Sequence, residues 1–289
     1  MRTAVRGWAF AAVALLLAVS RCGAEGGSAS GARKQTIEVR AGIGHAAWTR
    51  LLKKYVNGRG EVAYGAWKNA AADREALTRY LEQFAAGAAP AAKGAEKIAS
   101  LANAYNAFTI DWVLRNYPTA SIRSLPRSFT AARNRVGGRE VSLDGIEHET
   151  LRPLAGYRVH AVLSCASRSC PPLAAEALEP GRIEAQMNAR MAAWLGREDL
   201  NRFLPDRGRV EISQVFRWYA EDFQKAGGLR QVLARHAPER YRDFLSKWRY
   251  SIDYLPYDWG LNDQGPEGRH YGKLRLWFDE ARERLISKR

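Results

Sequence analysis

Apolar residues recur every three to four positions along most of this chain, which is the spacing of one face of an α-helix. In residues 71–85, for example, Leu77, Tyr80 and Phe84 fall on one side and charged residues on the other. The same spacing predicts helices over residues 45–56, 71–85, 95–117, 143–154, 180–196, 214–223, 229–245 and 273–288. Helices therefore dominate the predicted fold.

Shorter segments with alternating polarity predict strands. They cover residues 61–64, 133–142, 157–164 and 209–212. Residues 133–142 predict a hairpin that turns at Gly137 and Gly138, because glycine adopts positive φ without penalty. Residues 249–262 have no regular period and predict an irregular, aromatic, buried segment. The pattern as a whole predicts a helix-rich α+β fold, a single domain over residues 42–289 with a small, mostly antiparallel sheet.

The first 24 residues have the pattern of a signal peptide, in which two arginines precede the apolar run 8–19 and small residues follow. This pattern predicts export to the periplasm or the cell surface. Lipid anchoring at Cys22 is less favoured, because Arg21 stands where that processing site has a small residue. Residues 25–41 are rich in small and polar residues at their start and predict a flexible linker.

The formal net charge of +15 makes the chain strongly basic. A basic exported protein suits an anionic ligand of the cell envelope. The arginines are spread along the chain, so a nucleic-acid partner is not predicted. No apolar run after the signal peptide is long enough for a membrane span, and no motif predicts a cofactor.

Polar side chains interrupt two of the predicted helices. Asn103 and Asn106 are three residues apart on one face of an otherwise apolar helix. A buried amide without a partner costs about 1–3 kcal/mol, so both should bond loop backbone or, less favoured, a ligand. Asp144, His148 and Arg152 recur every four residues and predict one polar stripe.

The segment 160–172 combines His160 with Cys165 and Cys170, the two cysteines that remain once residues 1–24 are removed. One interpretation is a disulfide between them, because exported proteins keep disulfides. A second is a nucleophile at Cys165 with a histidine base. His148 is the favoured base, because five residues of strand would hold His160 about 16 Å from the thiol.

Asp222 or Asp144 would orient the imidazole in the nucleophile interpretation. A third interpretation is a zinc site that uses both cysteines with His148 and His160, although the spacing does not match paired zinc knuckles. The remaining histidines stand at helix ends or in polar loops and predict surface or capping roles: His45, His236 and His270.

A fourth interpretation is a pocket that binds a ligand without reacting with it. The polar residues that would line it are Asn103, Asn106, His148, Arg152, His160 and Asp222. In this pocket Arg152 would make a forked contact with a ligand carboxylate.

Four motifs occur in an order that resembles one protein family: residues 103–106, 142–148, 160–172 and 213–223. The chain resembles the family called domain of unknown function 547 from about residue 48 to residue 262. The resemblance implies exported bacterial relatives of similar layout. It assigns no catalytic residue.

Two functions follow from these patterns. The leading prediction is a protein that binds a small or polymeric ligand in a polar pocket beside Cys165 and Cys170. The alternative is a cysteine-dependent hydrolase or acyltransferase that acts on amide or peptide bonds. Neither interpretation identifies the ligand.

Overall fold

The computed structural model describes residues 36–269. The predicted signal peptide, most of the predicted linker, the helix at 273–288 and His270 lie outside the described residues. Within them, the helix-rich α+β fold is confirmed, with two small and mostly antiparallel sheets.

The first half of the chain packs around one long buried helix. Its helices are α1 (Ala46–Tyr55), α2 (Tyr64–Asn69), α3 (Ala71–Ala85) and α4 (Gly94–Asn116). An aromatic stack joins α1 to α3, with the ring centroids of Trp48 and Tyr80 5.6 Å apart. The long helix α4 is buried along most of its length, so it forms the centre of this half.

Residues 36–41, predicted as the end of a flexible linker, are instead part of the packed structure. Ile37 and Val39 are buried. The carbonyl of Val39 accepts a hydrogen bond from the amide of Ala92 at 2.8 Å. The linker prediction is therefore wrong for this segment, because its two apolar side chains enter the core.

The predicted hairpin is confirmed as β1 (Asn134–Val136) and β2 (Arg139–Val141), which pair antiparallel. Gly137 and Gly138 turn it with φ of 59° and 79°. A Cβ atom on Gly137 would lie 2.3 Å from the carbonyl oxygen of Glu38, so this position requires glycine.

Three helical turns of different kinds follow the hairpin. A π-helix (Gly145–Leu151) runs into α5 (Arg152–Ala155), and a 3-10 helix (Gly156–Ala161) follows. The predicted strand at 157–164 is therefore wrong. Val159, His160 and Ala161 are consecutive and all buried. The alternation of polar and apolar residues in this stretch therefore does not correspond to one exposed and one buried face of a strand.

The second half of the chain surrounds a three-stranded sheet. Its elements are α6 (Ile183–Leu195), β3 (Arg202–Leu204), β4 (Arg209–Ile212), α7 (Val215–Trp218), α8 (Ala220–Lys225), α9 (Leu229–His236), α10 (Arg242–Ser246) and β5 (Ser251–Tyr254). Strand β4 pairs antiparallel with β3 and parallel with β5. The stretch predicted as irregular thus contains a strand, whereas the strand predicted at 61–64 is reduced to isolated bridges of Val62.

Two of the remaining histidines, predicted in surface or capping roles, have buried side chains. His45 stands at the N-cap position of α1, but its side chain makes no capping hydrogen bond. His45 bonds the hydroxyl of Tyr80, and His236 bonds the hydroxyl of Tyr157, each at 2.8 Å. None of the helices between residues 36 and 269 combines the length and hydrophobicity that crossing a bilayer requires.

Candidate functional site

A cleft of about 850 Å³ lies beside the loop that contains Cys165 and Cys170, which we call the cysteine loop. This volume is within the range of small-molecule sites in proteins. Its walls come from α4, the π-helix, the 3-10 helix, the turn between α7 and α8, and the segment near residue 257. The lining side chains that carry chemistry include Tyr105, Glu147, Arg152, His160, Cys165, Cys170, Tyr219 and Tyr257.

Asn106 fixes the start of the cysteine loop. Its side-chain amide donates to the carbonyl of Val162, and its oxygen accepts from the amide of Ser164, both at 2.8 Å. Ala166 then adopts a left-handed conformation with φ of 59°, which is uncommon for a residue other than glycine. A second hydrogen bond runs from the amide of Asn262 to the carbonyl of Ala166, so the loop is tied on both sides.

The thiol of Cys165 lies among three possible hydrogen-bond donors. Its Sγ is 2.9 Å from the Sγ of Cys170, 3.1 Å from the Ser167 hydroxyl and 3.2 Å from the Tyr257 hydroxyl. Burial opposes ionisation, but these hydrogen bonds outweigh it and lower the pKa of Cys165 to about 7. A thiol with this pKa is substantially ionised at neutral pH.

The predicted disulfide is not formed. A disulfide needs its sulfurs about 2.05 Å apart, whereas Cys165 and Cys170 are free thiols at 2.9 Å. Burial and the neighbouring Cys165 raise the pKa of Cys170 well above its ordinary value. The pair therefore consists of one thiol that ionises readily and one that resists ionisation.

His160 is held between two carboxylates in the same cleft. Its Nε2 is 2.8 Å from Oδ2 of Asp222, and its Nδ1 is 3.9 Å from Oε1 of Glu147. The ring stacks on Tyr219 with centroids 3.9 Å apart. These contacts fix the orientation of the imidazole, and Asp222 rather than Asp144 provides its carboxylate.

Arg152 forms the predicted forked contact, but with a residue of the protein. Its Nε and Nη2 donate to the two oxygens of Asp222 at 2.7 and 3.1 Å. Burial opposes ionisation of Asp222, but hydrogen bonds from His160 and Arg152 hold the pKa of that carboxyl well below its usual range. Because its fork is occupied, Arg152 positions Asp222 rather than offering a free guanidinium to a ligand.

His148 completes the predicted polar stripe. Its Nδ1 accepts from Nη1 of Arg152 at 2.8 Å, and its Nε2 is 4.0 Å from Oδ1 of Asp144. His148 is exposed and is not among the residues that line the cleft. The structure therefore places His160, not the favoured His148, in the wall that contains Cys165.

Part of the chain, including the cysteine loop, matches a known family model. The family model described as "Protein of unknown function, DUF547" matches residues 91–195, which contain α4, the π-helix, the cysteine loop and α6. Over these residues, about a third of its length, the chain matches the DUF547 family. No curated protein and no solved structure matches the chain.

The two asparagines of the DUF547 region serve the backbone. Asn103 bonds both the carbonyl and the amide of Leu178, at 2.8 and 2.9 Å, as Asn106 bonds the cysteine loop. Neither is among the residues that line the large cleft. Their side chains are buried and their amides are occupied, which is the first of the two roles that the sequence left open.

The sequence left several site residues unrecognised. Glu147 lies beside His148 in the π-helix, and no local pattern separates it from Glu149. Tyr219 and Tyr257 stand in aromatic runs that predict core packing. The signal for Tyr257 was its place in the irregular aromatic segment near the end of the described residues, but only the fold brings it within 3.2 Å of Cys165.

The four residues of the zinc interpretation do not form one cluster. Among residues 36–269, no three side chains of histidine, cysteine, aspartate or glutamate are grouped so that they could hold a metal ion. His148 and His160 are separated by Arg152 and Asp222, which occupy the space between them with ion pairs.

Proposed function

We propose that this DUF547 protein is a cysteine-dependent hydrolase or acyltransferase that uses Cys165 as its nucleophile. The observation that carries the proposal is the position of the Cys165 thiol. It is partly exposed in the wall of an 850 Å³ cleft and lies within 3.2 Å of the hydroxyls of Ser167 and Tyr257. These donors stabilise the thiolate, which is the reactive form.

The proposed reaction has two steps. The Cys165 thiolate attacks the carbonyl carbon of a bound amide or ester, a carbon–sulfur bond forms, and the bond to the leaving group breaks. The leaving group takes up a proton, and the acyl group remains on sulfur as a thioester. Water or an acceptor nucleophile then attacks the thioester carbon and gives up a proton, which restores the proton lost in the first step. The carbon–sulfur bond breaks, and the thiolate of Cys165 is released.

His160 is the proposed source of the proton for the leaving group. It lines the same cleft, and Asp222 holds its Nε2 at 2.8 Å. A carboxylate bonded to one ring nitrogen fixes the tautomer and stabilises the protonated imidazole. Because the thiol of Cys165 already ionises near neutral pH, no direct bond from histidine to sulfur is needed for its activation.

A binding protein without catalysis is the second candidate. Among residues 36–269, the hydrogen-bond partners of the Cys165 sulfur are Cys170, Ser167 and Tyr257, and none is a histidine. A nucleophile usually has a base within hydrogen-bond reach. In this candidate the cleft binds a small molecule, or the end of an anionic polymer of the cell envelope, and the thiol stays unreacted.

Alkylation and acylation separate these two candidates. In a Cys22→Ser background, reduced protein is treated with iodoacetamide over a range of pH and the modified cysteine is located by mass spectrometry. We expect Cys165 to react with half-maximal rate near pH 7. With 4-nitrophenyl acetate, an acetyl group should appear on Cys165 and be absent from the Cys165→Ser variant. Alkylation with an ordinary thiol profile and no acetyl group would support the binding candidate instead.

Export remains part of the proposal, because the leader pattern predicts it. Expression of the full chain in a bacterial host with a secretion pathway, followed by cell fractionation and N-terminal sequencing, tests it. We expect a mature protein that begins near residue 25 in the envelope fraction. An intact N-terminus in the cytosolic fraction would refute this part of the proposal without affecting the thiol chemistry.

A further inference from the structure

A second thiol beside the proposed nucleophile has no role in acyl transfer. The Sγ of Cys170 is 2.9 Å from that of Cys165, and the amide of Cys165 also donates to the Sγ of Cys170 at 2.9 Å. We propose that these two thiols carry out reversible exchange with small-molecule disulfides, in which Cys165 attacks and Cys170 resolves. The inference rests on the nucleophilic thiol of the proposed function.

The geometry needs little change to form the bond. The two sulfurs must approach by about 0.9 Å to reach a disulfide distance of about 2.05 Å. Both cysteines belong to one loop, so the approach involves five successive peptide units. Within this loop, Ala166 adopts a left-handed conformation, and the amide of Cys170 donates to the carbonyl of Ser167.

The exposure of the two thiols assigns their roles. Cys165 is partly exposed in the cleft and meets an incoming disulfide, whereas Cys170 is only 6% exposed. Attack needs an accessible thiolate, and the second thiol needs only to reach the sulfur of the first. The low pKa of Cys165 and the high pKa of Cys170 favour the same assignment.

The exchange balances in atoms and electrons. The Cys165 thiolate attacks one sulfur of a disulfide RS–SR, the S–S bond breaks, and one thiolate RS⁻ leaves and takes up a proton. Cys170 loses its proton and attacks the Cys165 sulfur of the mixed disulfide, which releases the second RSH. Counted from the two protonated thiols, so that the proton lost when Cys165 ionises is included, the protein gives up two electrons and two protons, and the small disulfide becomes two thiols.

Oxidation in this scheme also removes the nucleophile. A sulfur bonded to Cys170 cannot attack a carbonyl, so the disulfide state has no acyl-transfer activity and reduction restores it. The pair thus couples the proposed chemistry of the cleft to the thiol–disulfide balance of its surroundings.

Tryptic mapping of the full chain tests the proposal. Cleavage after Arg158, Arg168 and Arg182 places Cys165 in peptide 159–168 and Cys170 in peptide 169–182. The protein is equilibrated in buffers with graded ratios of reduced and oxidised glutathione, quenched with acid and digested. We expect the two peptides to be linked in oxidising buffer and separate again after excess dithiothreitol, while Cys22 takes no part in the link.

Two matched variants resolve the order of events. In Cys170→Ser, glutathione should accumulate on residue 165 as a stable mixed disulfide, because the resolving thiol is absent. In Cys165→Ser, glutathione should not accumulate on the buried Cys170. Equal accumulation on either single cysteine would overturn the assignment of roles, and circular dichroism spectra establish that each variant is folded.

The outcomes distinguish this inference from the proposed function. Acetylation of Cys165 in reduced protein, together with no linked peptide at any glutathione ratio, would overturn the exchange and leave acyl transfer intact. A linked peptide without acetylation would show a dithiol site and refute acyl transfer. Neither acetylation nor linkage would refute both.

Discussion

Tyr257 contributes a hydroxyl to the thiol of Cys165 from a segment far away in sequence. The two atoms are 3.2 Å apart, and the same hydroxyl lies 2.9 Å from that of Ser167. The tyrosine ring also packs between Trp218 and Trp259, with centroids 4.7 and 4.6 Å away. Aromatic packing therefore sets the position of the ring, and the hydroxyl contacts both the Cys165 sulfur and the Ser167 hydroxyl.

Replacement of Tyr257 by phenylalanine should keep this packing and remove the donor. We expect the pKa of Cys165 to rise from about 7 toward the ordinary thiol value, because one hydrogen bond to the thiolate is lost. The rate of alkylation at pH 7 should fall about three- to tenfold, following the thiolate fraction. Iodoacetamide kinetics as a function of pH measure the shift.

Tyr254→Phe is the matched control for this measurement. It removes a hydroxyl from β5 in the same segment, and the sulfur of Cys165 is not among that hydroxyl's contacts. We expect its pH profile to equal that of the wild type. Equal shifts in both variants would mean that the segment as a whole, rather than the Tyr257 hydroxyl, controls the thiol.

Asp222 is the second residue with a strong expected effect. Replacement by asparagine leaves Arg152 and His160 without their carboxylate, and removal of one partner from a buried ion pair costs about 3–5 kcal/mol. We expect a decrease of this size in the free energy of unfolding at pH 7, measured with urea. Asp253→Asn, which breaks an exposed pair with Arg209, should cost less than about 1 kcal/mol.

The difference in the free energy of unfolding between the wild type and Asp222→Asn should depend on pH in a definite direction. Because the pKa of Asp222 is depressed in the folded protein, its contribution is present above the unfolded value of about 3.9 and is lost as the pH falls below it. The gap between wild type and Asp222→Asn should therefore narrow in acid. A gap that stays constant down to pH 3 would contradict this account of the ion pair.

Helix α4 supports two loops through one residue each. Asn106 bonds two backbone groups of the cysteine loop, and Asn103 bonds two backbone groups of Leu178. The two side chains make equivalent bonds, one turn apart on the same buried helix. Only the two bonds of Asn106 hold the segment that contains Cys165.

This symmetry gives a prediction with an internal control. Asn106→Ala and Asn103→Ala should each lower the free energy of unfolding by about 2–4 kcal/mol, since each leaves buried backbone groups without partners. Only Asn106→Ala should also slow the alkylation of Cys165, because its loop loses a tie. Equal alkylation rates in the two variants would show that the loop holds its geometry without Asn106.

Secondary structure was most predictable where one face of an element is buried. Helix α3 has the predicted range, 71–85, and the hairpin turns at Gly137 as expected. The strand predicted at 157–164 was wrong because every residue of that stretch except Arg158 is buried. In such a stretch the order of polar and apolar residues does not report the geometry of the backbone.

The distribution of the site over the molecule explains what the sequence could not predict. Asp222 and Tyr257 lie 57 and 92 residues after Cys165, and tertiary packing alone brings Tyr257 to the cleft and Asp222 to His160, which lines it. The distance argument against His160 depended on a strand, and a 3-10 helix replaced it. Residue types were predictable here, whereas their convergence required the fold.

Two buried histidines give the whole molecule a predictable response to acid. Burial lowers the pKa of His45 and of His236 to about 4, because their charged forms are poorly solvated. The unfolded chain binds protons near pH 6.5, so stability is full above that pH and decreases as the pH falls toward 4. We expect a loss of about 2–3 kcal/mol for each histidine between pH 7.5 and pH 4.5, since each pKa unit corresponds to about 1.4 kcal/mol.

Urea unfolding at pH 7.5 and at pH 4.5 measures this loss. The His236→Gln variant keeps a polar partner for the Tyr157 hydroxyl. In this variant, the decrease in the free energy of unfolding from pH 7.5 to pH 4.5 should be smaller than in the wild type by the contribution of one histidine. A free energy of unfolding that is unchanged between pH 7.5 and 4.5 in the wild type would contradict this prediction.

The segment 260–264 connects parts of the chain that are distant in sequence. Leu261 donates to the carbonyl of Ala120, Asn262 to that of Ala166, and the carbonyl of Asn262 accepts from Val62. Ala120 and Ala166 lie inside the matched stretch 91–195, whereas Val62, Leu261 and Asn262 lie outside it. A fragment cut to residues 91–195 would lack the hydrogen bonds that Leu261 and Asn262 make to Ala120 and Ala166. We therefore expect a stable fragment to extend at least to about residue 264.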